Sequence, residues 1–184
     1  MPSSCVQGCG LIVDGNAITL DWGALGVKYG SEVDDNAFSS AVPARTDGFE
    51  RMRTIRARFT NNSCQTHLIT YWAEIPHLNM NMVAGNYWDT ALYCTGQSGS
   101  QPSATNFNVN NSARCRLAHP GGGQVMRMSW GSVQTTLRRD LVAPGATYHM
   151  LASFWRSIID RQDHAENRLS WPSMSLKYQA IPIS

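Results

Sequence analysis

The sequence predicts an all-β fold, an antiparallel β-sandwich of jelly-roll type with a short glycine-rich N-terminal arm. Three observations predict it. Only 15% of the 184 residues are charged, and Asn, Ser, Thr and Gly carry much of the polarity, which is typical of β-rich surface or fibre proteins. Apolar and polar residues alternate over much of residues 59–94, as in strands. Gly-rich and Pro-containing turns separate these alternating runs.

Residues 1–30 are predicted to form a docking or oligomerisation arm. Short apolar runs stand between glycines there, and the step Asp14-Gly15-Asn16 predicts a turn between two short strands. An isolated two-stranded hairpin is marginal in water, so the hairpin needs a partner against which to bury its apolar residues. The alternative is a leader that only pads the main domain. The residues expected to dock are Leu11, Val13, Ile18 and Leu20.

Residues 31–49 are predicted to be a linker, because they are polar and contain Pro43 and an Asp-Gly turn. The β-sandwich domain is expected over residues 50–184, a length that can bury a core. Its first strand carries four arginines that surround Ile55, Ala57 and Phe59. We interpret this pattern as a strand with arginines on its solvent face rather than as a phosphate-binding groove.

The clearest strand signals lie in the middle of the chain. Over residues 68–73 both alternate faces carry large side chains, which predicts a strand buried or half-buried on both sides. Pro76 then breaks the ladder. The LNMNM run at 78–82 predicts a strand with one wet face, and a turn at 84–86 leads into a strand over 87–93. Three adjacent strands are expected here.

The C-terminal half continues the β pattern. Residues 95–111 are predicted to be a polar loop with one edge strand, and residues 124–130 a strand. The apolar residues of 151–159 fit both helical and strand spacing; we favour a strand, because a Pro-Gly turn and the β-formers Thr147 and Tyr148 precede them. Residues 169–183 are expected to end the chain as a strand that tucks into the core.

Composition excludes several partner classes. The net charge of +2, with the arginines spread along the chain, gives no reason to expect nucleic acid or an anionic membrane as partner. No run approaches the roughly 20 apolar residues of a membrane helix, and the N-terminus lacks the features of a secretory signal. The five cysteines are odd in number and include no CxxC pair, so we expect neither a fully paired disulfide framework nor a metal site. Whether Cys5 and Cys9 pair is left open.

No catalytic residues are predicted, and no cofactor. Ser98 lies in a GQSG step that falls one residue short of a nucleophile elbow, and no two carboxylates are placed as an acid and a base. The chain is therefore expected not to be an enzyme. Its six tryptophans are expected mainly in the core or in subunit interfaces. Trp88 and Trp171 each stand beside a turn, and they are the candidates for contact with a glycan.

Two segments resemble a known group of proteins. The start CGLIVDGNAITLDW resembles segments near the front of minor tail and fibre proteins of long-tailed bacteriophages that infect actinobacteria. The run that begins FTNNSCQTHLITYW, with its N-x-S-C step before a strand, resembles the opening of the small β-sandwich in those proteins. The excess of arginine over lysine also fits a GC-rich genome.

This resemblance implies a virion structural protein, assembled in the host cytoplasm and commonly a homotrimer, with a docking N-terminus and a distal β-domain. It implies a minor tail protein that contributes to the tail tip or fibre or to host-surface attachment, and it transfers no catalytic residue. A capsid decoration or head-fibre protein is one alternative, and a carbohydrate-binding module is another. The loops 95–111, 119–124 and 160–168 are expected to face the host surface or neighbouring virion proteins.

Overall fold

The computed structural model describes residues 11–14, 17–20, 26–41, 48–82, 87–105, 112–118, 125–159 and 168–183. These ranges contain strands and no helix, and so they include no helix long and apolar enough to cross a membrane. The all-β prediction is confirmed. The strands in chain order are β1 (Leu11–Asp14), β2 (Ala17–Leu20), β3 (Lys28–Asp34), β4 (Phe38–Ala41), β5 (Glu50–Thr60), β6 (His67–Ile75), β7 (Leu78–Met82), β8 (Tyr87–Ser98), β9 (Ser112–Ala118), β10 (Met126–Trp130), β11 (Val133–Gln134), β12 (Arg138–Val142), β13 (Thr147–Ile159), β14 (Arg168–Trp171) and β15 (Met174–Pro182).

Two of the sheets are linked strand by strand along the chain, and we treat them as the two halves of one surface, which we call the bent sheet. One half has the order β10-β7-β14-β4 and the other the order β11-β6-β15-β3, with β12 also paired to β6. Each strand of one half continues along the chain into the strand at the same place in the other half. The strand pairs are antiparallel throughout.

The bend runs along a line of short corners. Pro76-His77 joins β6 to β7, Gly131-Ser132 joins β10 to β11, and Pro172-Ser173 joins β14 to β15. Proline has no N–H for the ladder, so a corner is where it is tolerated. Ile75 and Leu78, on either side of one corner, are both fully buried, so the corner returns the strand to the core with its inward face unchanged. The predicted break at Pro76 is confirmed.

The remaining large sheet, β5-β13-β8-β9, packs against the bent sheet, and we call it the facing sheet. Strands β11 and β12 pair with successive parts of β6, so we count β10, β11 and β12 as one strand. If β3 with β4, β6 with β7, and β14 with β15 are also each counted once, β3 to β15 make eight strands. When these eight strands are numbered along the chain, their order is 6-3-8-1 in the bent sheet and 2-7-4-5 in the facing sheet. This arrangement of eight strands in two sheets is a jelly roll, as the sequence predicts.

The core lies between the two sheets. Phe154 of the facing sheet packs on Trp171 of the bent sheet, with 4.7 Å between ring centroids. The strands contribute as their alternation predicts: in β7, Leu78, Met80 and Met82 are buried and the two asparagines are half-buried. In β6 one face is buried and the other half-buried. Burial of this apolar surface is the main term that stabilises such a sandwich.

Strand β5 confirms the prediction of a buried apolar face with arginines on the solvent side. Ile55, Ala57 and Phe59 are buried, while Arg56 and Arg58 are exposed. Toward the N-terminal end of β5 the arginines change from even-numbered positions, Arg56 and Arg58, to odd-numbered ones, Arg53 and Arg51. The ladder shifts by one residue between Phe154 and Trp155 of β13, a β-bulge that lets Arg51 stay exposed.

Two organisational predictions need correction. The segment predicted to be a linker, residues 31–49, contains most of β3 and all of β4, which pair with β15 and β14; the sandwich therefore begins at Lys28. The exposed edge strand β3 has few buried side chains, so its sequence carries no apolar alternation. The expected three adjacent strands are also wrong: β6 and β7 are halves of one bent strand, and β8 lies in the facing sheet.

Other expectations are settled by single elements. Residues 151–159 are strand, within β13. Strand β8 continues to Ser98, so the polar loop begins later than the predicted Thr95. Cys64 is disulfide-bonded, whereas Cys94 and Cys115 are free and buried. The turn at 84–86, the loops at 119–124 and 160–167, and Cys5 and Cys9 lie outside the described residues.

Candidate functional site

The N-terminal hairpin brings the four predicted docking positions into register. Strands β1 and β2 form a two-stranded sheet of their own, in which Leu11 lies opposite Leu20 and Val13 opposite Ile18. These two directly opposed pairs belong to one face of the ladder, because alternate positions of a strand share a face. Ile12 and Thr19 form the pair between them.

The two tryptophans predicted to contact a glycan do not reach the surface. Trp88 is 1% exposed and Trp171 is 2% exposed. Both lie on the inward face of their strands and belong to the main core cluster. A sugar stacks on an exposed ring face, so neither ring can serve, and this prediction is corrected. Proximity to a turn in sequence does not decide which face of a strand a side chain occupies.

The outer face of the bent sheet instead carries two depressions. The first, which we call the polar depression, has a volume of about 390 Å³. It spans the adjacent strands β10, β7 and β14, and two polar rows cross it. Met128, which is 39% exposed, lies at its edge. The rows consist of Arg127, Asn81 and Arg168, and of Ser129, Asn79 and Ser170.

The second depression, which we call the aromatic depression, has a volume of about 500 Å³ on the other half of the same sheet. Tyr29 and Trp72 line it together with Ser31, Lys177 and the edge of Tyr178. Tyr29 is 73% exposed, and its hydroxyl accepts a hydrogen bond from Gln179 at 3.2 Å. The depression therefore offers aromatic surface beside polar side chains.

Glycine at position 30 belongs to this second depression. Gly30 lies directly opposite Tyr178 in the β3–β15 ladder. A Cβ at position 30 would lie 2.3 Å from the Tyr178 ring, closer than atoms can approach. Glycine thus lets the tyrosine ring lie across the edge strand, where burial raises the Tyr178 pKa above its ordinary value.

An ion pair borders the aromatic depression. Lys177 donates to Glu74 at 2.7 Å, and this hydrogen bond holds the pKa of Glu74 below its ordinary value. Ser132 also donates to Glu74, at 3.3 Å. Lys177 is thereby held in place at the wall of the depression, with its charge compensated.

No group of three or more His, Cys, Asp or Glu side chains in the described ranges is placed to hold a metal ion. Comparison of the chain with protein families, with curated proteins and with solved structures finds no match. The functional interpretation therefore rests on the geometry of this chain.

The sequence pattern predicts neither depression, although it contains part of the signal for the first. The LNMNM alternation placed Asn79 and Asn81 on a wet face correctly. What it could not supply was the alignment of Arg127 and Arg168 on either side of Asn81, because those residues come from strands far apart in the chain. Cross-strand register is a tertiary property.

Proposed function

We propose that the protein is a structural component of a bacteriophage virion, a minor tail protein that contributes to the tail tip or fibre or to attachment to the host surface. The observation that carries the proposal is the N-terminal hairpin, which forms a separate two-stranded sheet with two apolar pairs in register. A two-stranded ladder is marginally stable alone, so its apolar positions call for a partner.

Two further features support this proposal. The jelly roll is an architecture that viral capsid proteins share with lectins and other binding proteins. The disulfide at Cys64 suits a protein that works outside the reducing cytoplasm. The chain would be assembled in the host cytoplasm, join the virion, and pair its hairpin with copies of itself in a homotrimer.

The test is the solution mass of the full chain by light scattering, with and without reductant. The wild type is expected to be a trimer in both conditions. Val13→Asp should reduce the mass to that of the 20.3 kDa monomer, since a carboxylate would have to be buried among apolar partners. Thr19→Asp, on the other face of the same hairpin, should remain a trimer.

A wild type that is monomeric in both conditions would contradict self-assembly through the hairpin. The protein would then fit the alternative of a capsid decoration or head-fibre protein, whose hairpin docks on a different virion protein. Equal loss of mass in Val13→Asp and Thr19→Asp would also contradict the assignment of the docking face.

The aromatic depression favours a second candidate function, that of a carbohydrate-binding module. Rings such as those of Tyr29 and Trp72 stack on the apolar faces of sugars, while Ser31, Lys177 and Gln179 lie near enough to bond sugar hydroxyls. Tyr29→Ala should abolish binding on a glycan array. Val33→Ala, which removes an exposed side chain from the same strand, should not. Equal signals from both variants and the wild type would reject this site.

A further inference from the structure

We propose that the polar depression binds an acidic saccharide, with the acidic group held between Arg127 and Arg168. The inference deepens the proposed host-surface role, and it rests on that role only for the source of the saccharide. Its evidence is the arrangement of side chains on β10, β7 and β14, which does not involve the N-terminal hairpin.

The register of the three strands sets the geometry of the site. Arg127 and Arg168 are both directly opposite Asn81, one on each neighbouring strand. Adjacent strands lie about 4.8 Å apart, so the two arginine backbones are separated by roughly 10 Å with the asparagine amide between them. Two long side chains at this separation can converge on one anion above Asn81.

Both guanidinium groups are without a partner in the part of the chain that the structure describes. Among the described residues Arg127 and Arg168 form no ion pair or side-chain hydrogen bond, and no carboxylate lines the depression. Three other arginines of the sandwich are neutralised: Asp89 holds Arg114 and Arg116, and Glu50 holds Arg156. Each free guanidinium has five N–H donors in a planar fork, which matches the oxygens of a carboxylate or sulfate.

The second row extends the site with neutral groups. Ser129 and Ser170 lie opposite Asn79, two residues along β7 from the arginine row. Hydroxyl and amide groups donate and accept hydrogen bonds, as sugar hydroxyls require. An anion site beside neutral hydrogen-bonding groups fits a charged sugar ring better than a bare ion, and about 390 Å³ lies within the usual size of small-molecule sites.

A nucleic acid is the less suitable ligand. Binding to a phosphate backbone requires several basic contacts along its path, whereas the chain has a net charge of only +2 and this depression contains one arginine row. Duplex DNA is therefore included in the experiment as a competing outcome.

The experiment uses the full-length chain and isothermal titration calorimetry. The probes are an oligosaccharide of glucuronic acid, the glucose oligosaccharide of the same length and linkage, and a sulfated oligosaccharide. The glucuronic acid probe or the sulfated probe is expected to bind at least about tenfold more tightly than the neutral one, and the tighter of the two identifies the acidic group. Arg127→Gln with Arg168→Gln should weaken that binding at least about tenfold, since each charged hydrogen bond contributes at this scale.

The matched control is Arg56→Gln with Arg58→Gln. These two arginines are also exposed, on the facing-sheet strand β5, so the control removes the same charge elsewhere. It should change the affinity less than about twofold, and thermal unfolding should show that both double variants fold. Equal loss in both double variants, equal affinity for acidic and neutral probes, no binding of either acidic probe, or tighter binding of duplex DNA would each overturn the proposal.

The proposed assembly through the hairpin and the proposed saccharide site can each be rejected independently of the other. Val13→Asp should leave saccharide affinity unchanged even as it dissolves the trimer. If the wild type is a monomer and binds an acidic probe, the proposed assembly is wrong and the saccharide site is supported. If it is a trimer and binds neither acidic probe, the assembly is supported and the saccharide site is wrong.

Discussion

The hydroxyl of Tyr148 donates to the hydroxyl of Tyr71 at 3.2 Å, across the middle of the sandwich. Tyr148 comes from the facing sheet and Tyr71 from the bent sheet, and they are 1% and 4% exposed. Their rings are tilted by 52° with centroids 5.7 Å apart. The two sheets are thus joined by a polar contact between buried side chains.

The two hydroxyls of this pair should be coupled in their effect on stability. The double variant should lose less free energy of unfolding than the two single variants together. Tyr148→Phe leaves the buried Tyr71 hydroxyl without its donor, and we expect the free energy of unfolding to fall by about 1–3 kcal/mol. Tyr71→Phe should behave similarly. In the double variant no group is left unpaired, so urea denaturation should give a loss smaller than the sum of the two single losses. Strict additivity would show that the hydroxyls are not coupled.

The same pair makes stability depend on alkaline pH. Burial raises the pKa of both Tyr71 and Tyr148 above the ordinary value of about 10. Above pH 10 the unfolded chain loses these protons while the folded chain keeps them, so the free energy of unfolding falls as pH rises. Each group contributes a slope of up to about 1.4 kcal/mol per pH unit.

Cys94 adds an earlier step of the same sign. Burial raises the pKa of its thiol from 9.0 to about 12, so its contribution to stability is complete below pH 9 and is lost between pH 9 and 12. Urea denaturation at several pH values from 8 to 11 should show the fall. Tyr71→Phe with Tyr148→Phe should make the fall less steep above pH 10, and Cys94→Ala should make it less steep from pH 9 upward; a flat profile in the wild type would contradict both assignments.

Gly96 is required by the ring of Tyr148. A Cβ at position 96 would lie 2.5 Å from that ring, and the ring is buried, so it cannot move into solvent. Gly96→Ala should therefore destabilise the fold by about 1–3 kcal/mol, as overpacking of a core does. Gly131 is the control, because nothing lies within 4 Å of its Cβ position. Thermal unfolding should show Gly131→Ala near the wild type; equal effects would contradict the clash.

The two arginines that hold Asp89 should differ in their contribution. The Asp89 side chain is 6% exposed, and its partners Arg114 and Arg116 are 24% and 56% exposed. Arg114 also lies 5.6 Å from the centroid of the Phe49 ring. Arg114→Gln should lower the free energy of unfolding by about 2–3 kcal/mol, and Arg116→Gln by less than about 1 kcal/mol. The reverse order in urea denaturation would show that exposure does not set the difference.

Local pattern predicted the strands well and their partners poorly. Alternation in β6 and β7 identified the buried faces, and Pro76 identified a corner. Alternation indicates which face of a strand is apolar, but it does not indicate which strand lies alongside, so the pattern wrongly predicts β6 and β7 as neighbours. The sequence pattern does not predict strand β3, because β3 is an edge strand with little buried surface.

The candidate sites were less predictable for a related reason. Its place beside a turn makes Trp88 a predicted glycan contact, yet its side chain is buried in the core. Tyr29 lies at the end of the predicted arm, residues 1–30, where the sequence does not predict a strand of the sandwich. Arg127 and Arg168 meet only because β10 and β14 are both neighbours of β7. Each of these facts depends on register between distant segments, which a single sequence does not encode locally.

The line of corners also makes the chain unusually sensitive to length at a few points. Deletion of His77 alone would shift β7 by one place relative to β6, turning Leu78, Met80 and Met82 toward solvent and Asn79 and Asn81 into the core. The apolar side chains of β7 would then line the polar depression, and its asparagines would be buried in the core. At the corners, therefore, the fold tolerates insertions or deletions only of an even number of residues, which leave the inward-facing residues of the next strand facing inward. A change in length beyond the outer end of a strand does not alter which of its residues face the core.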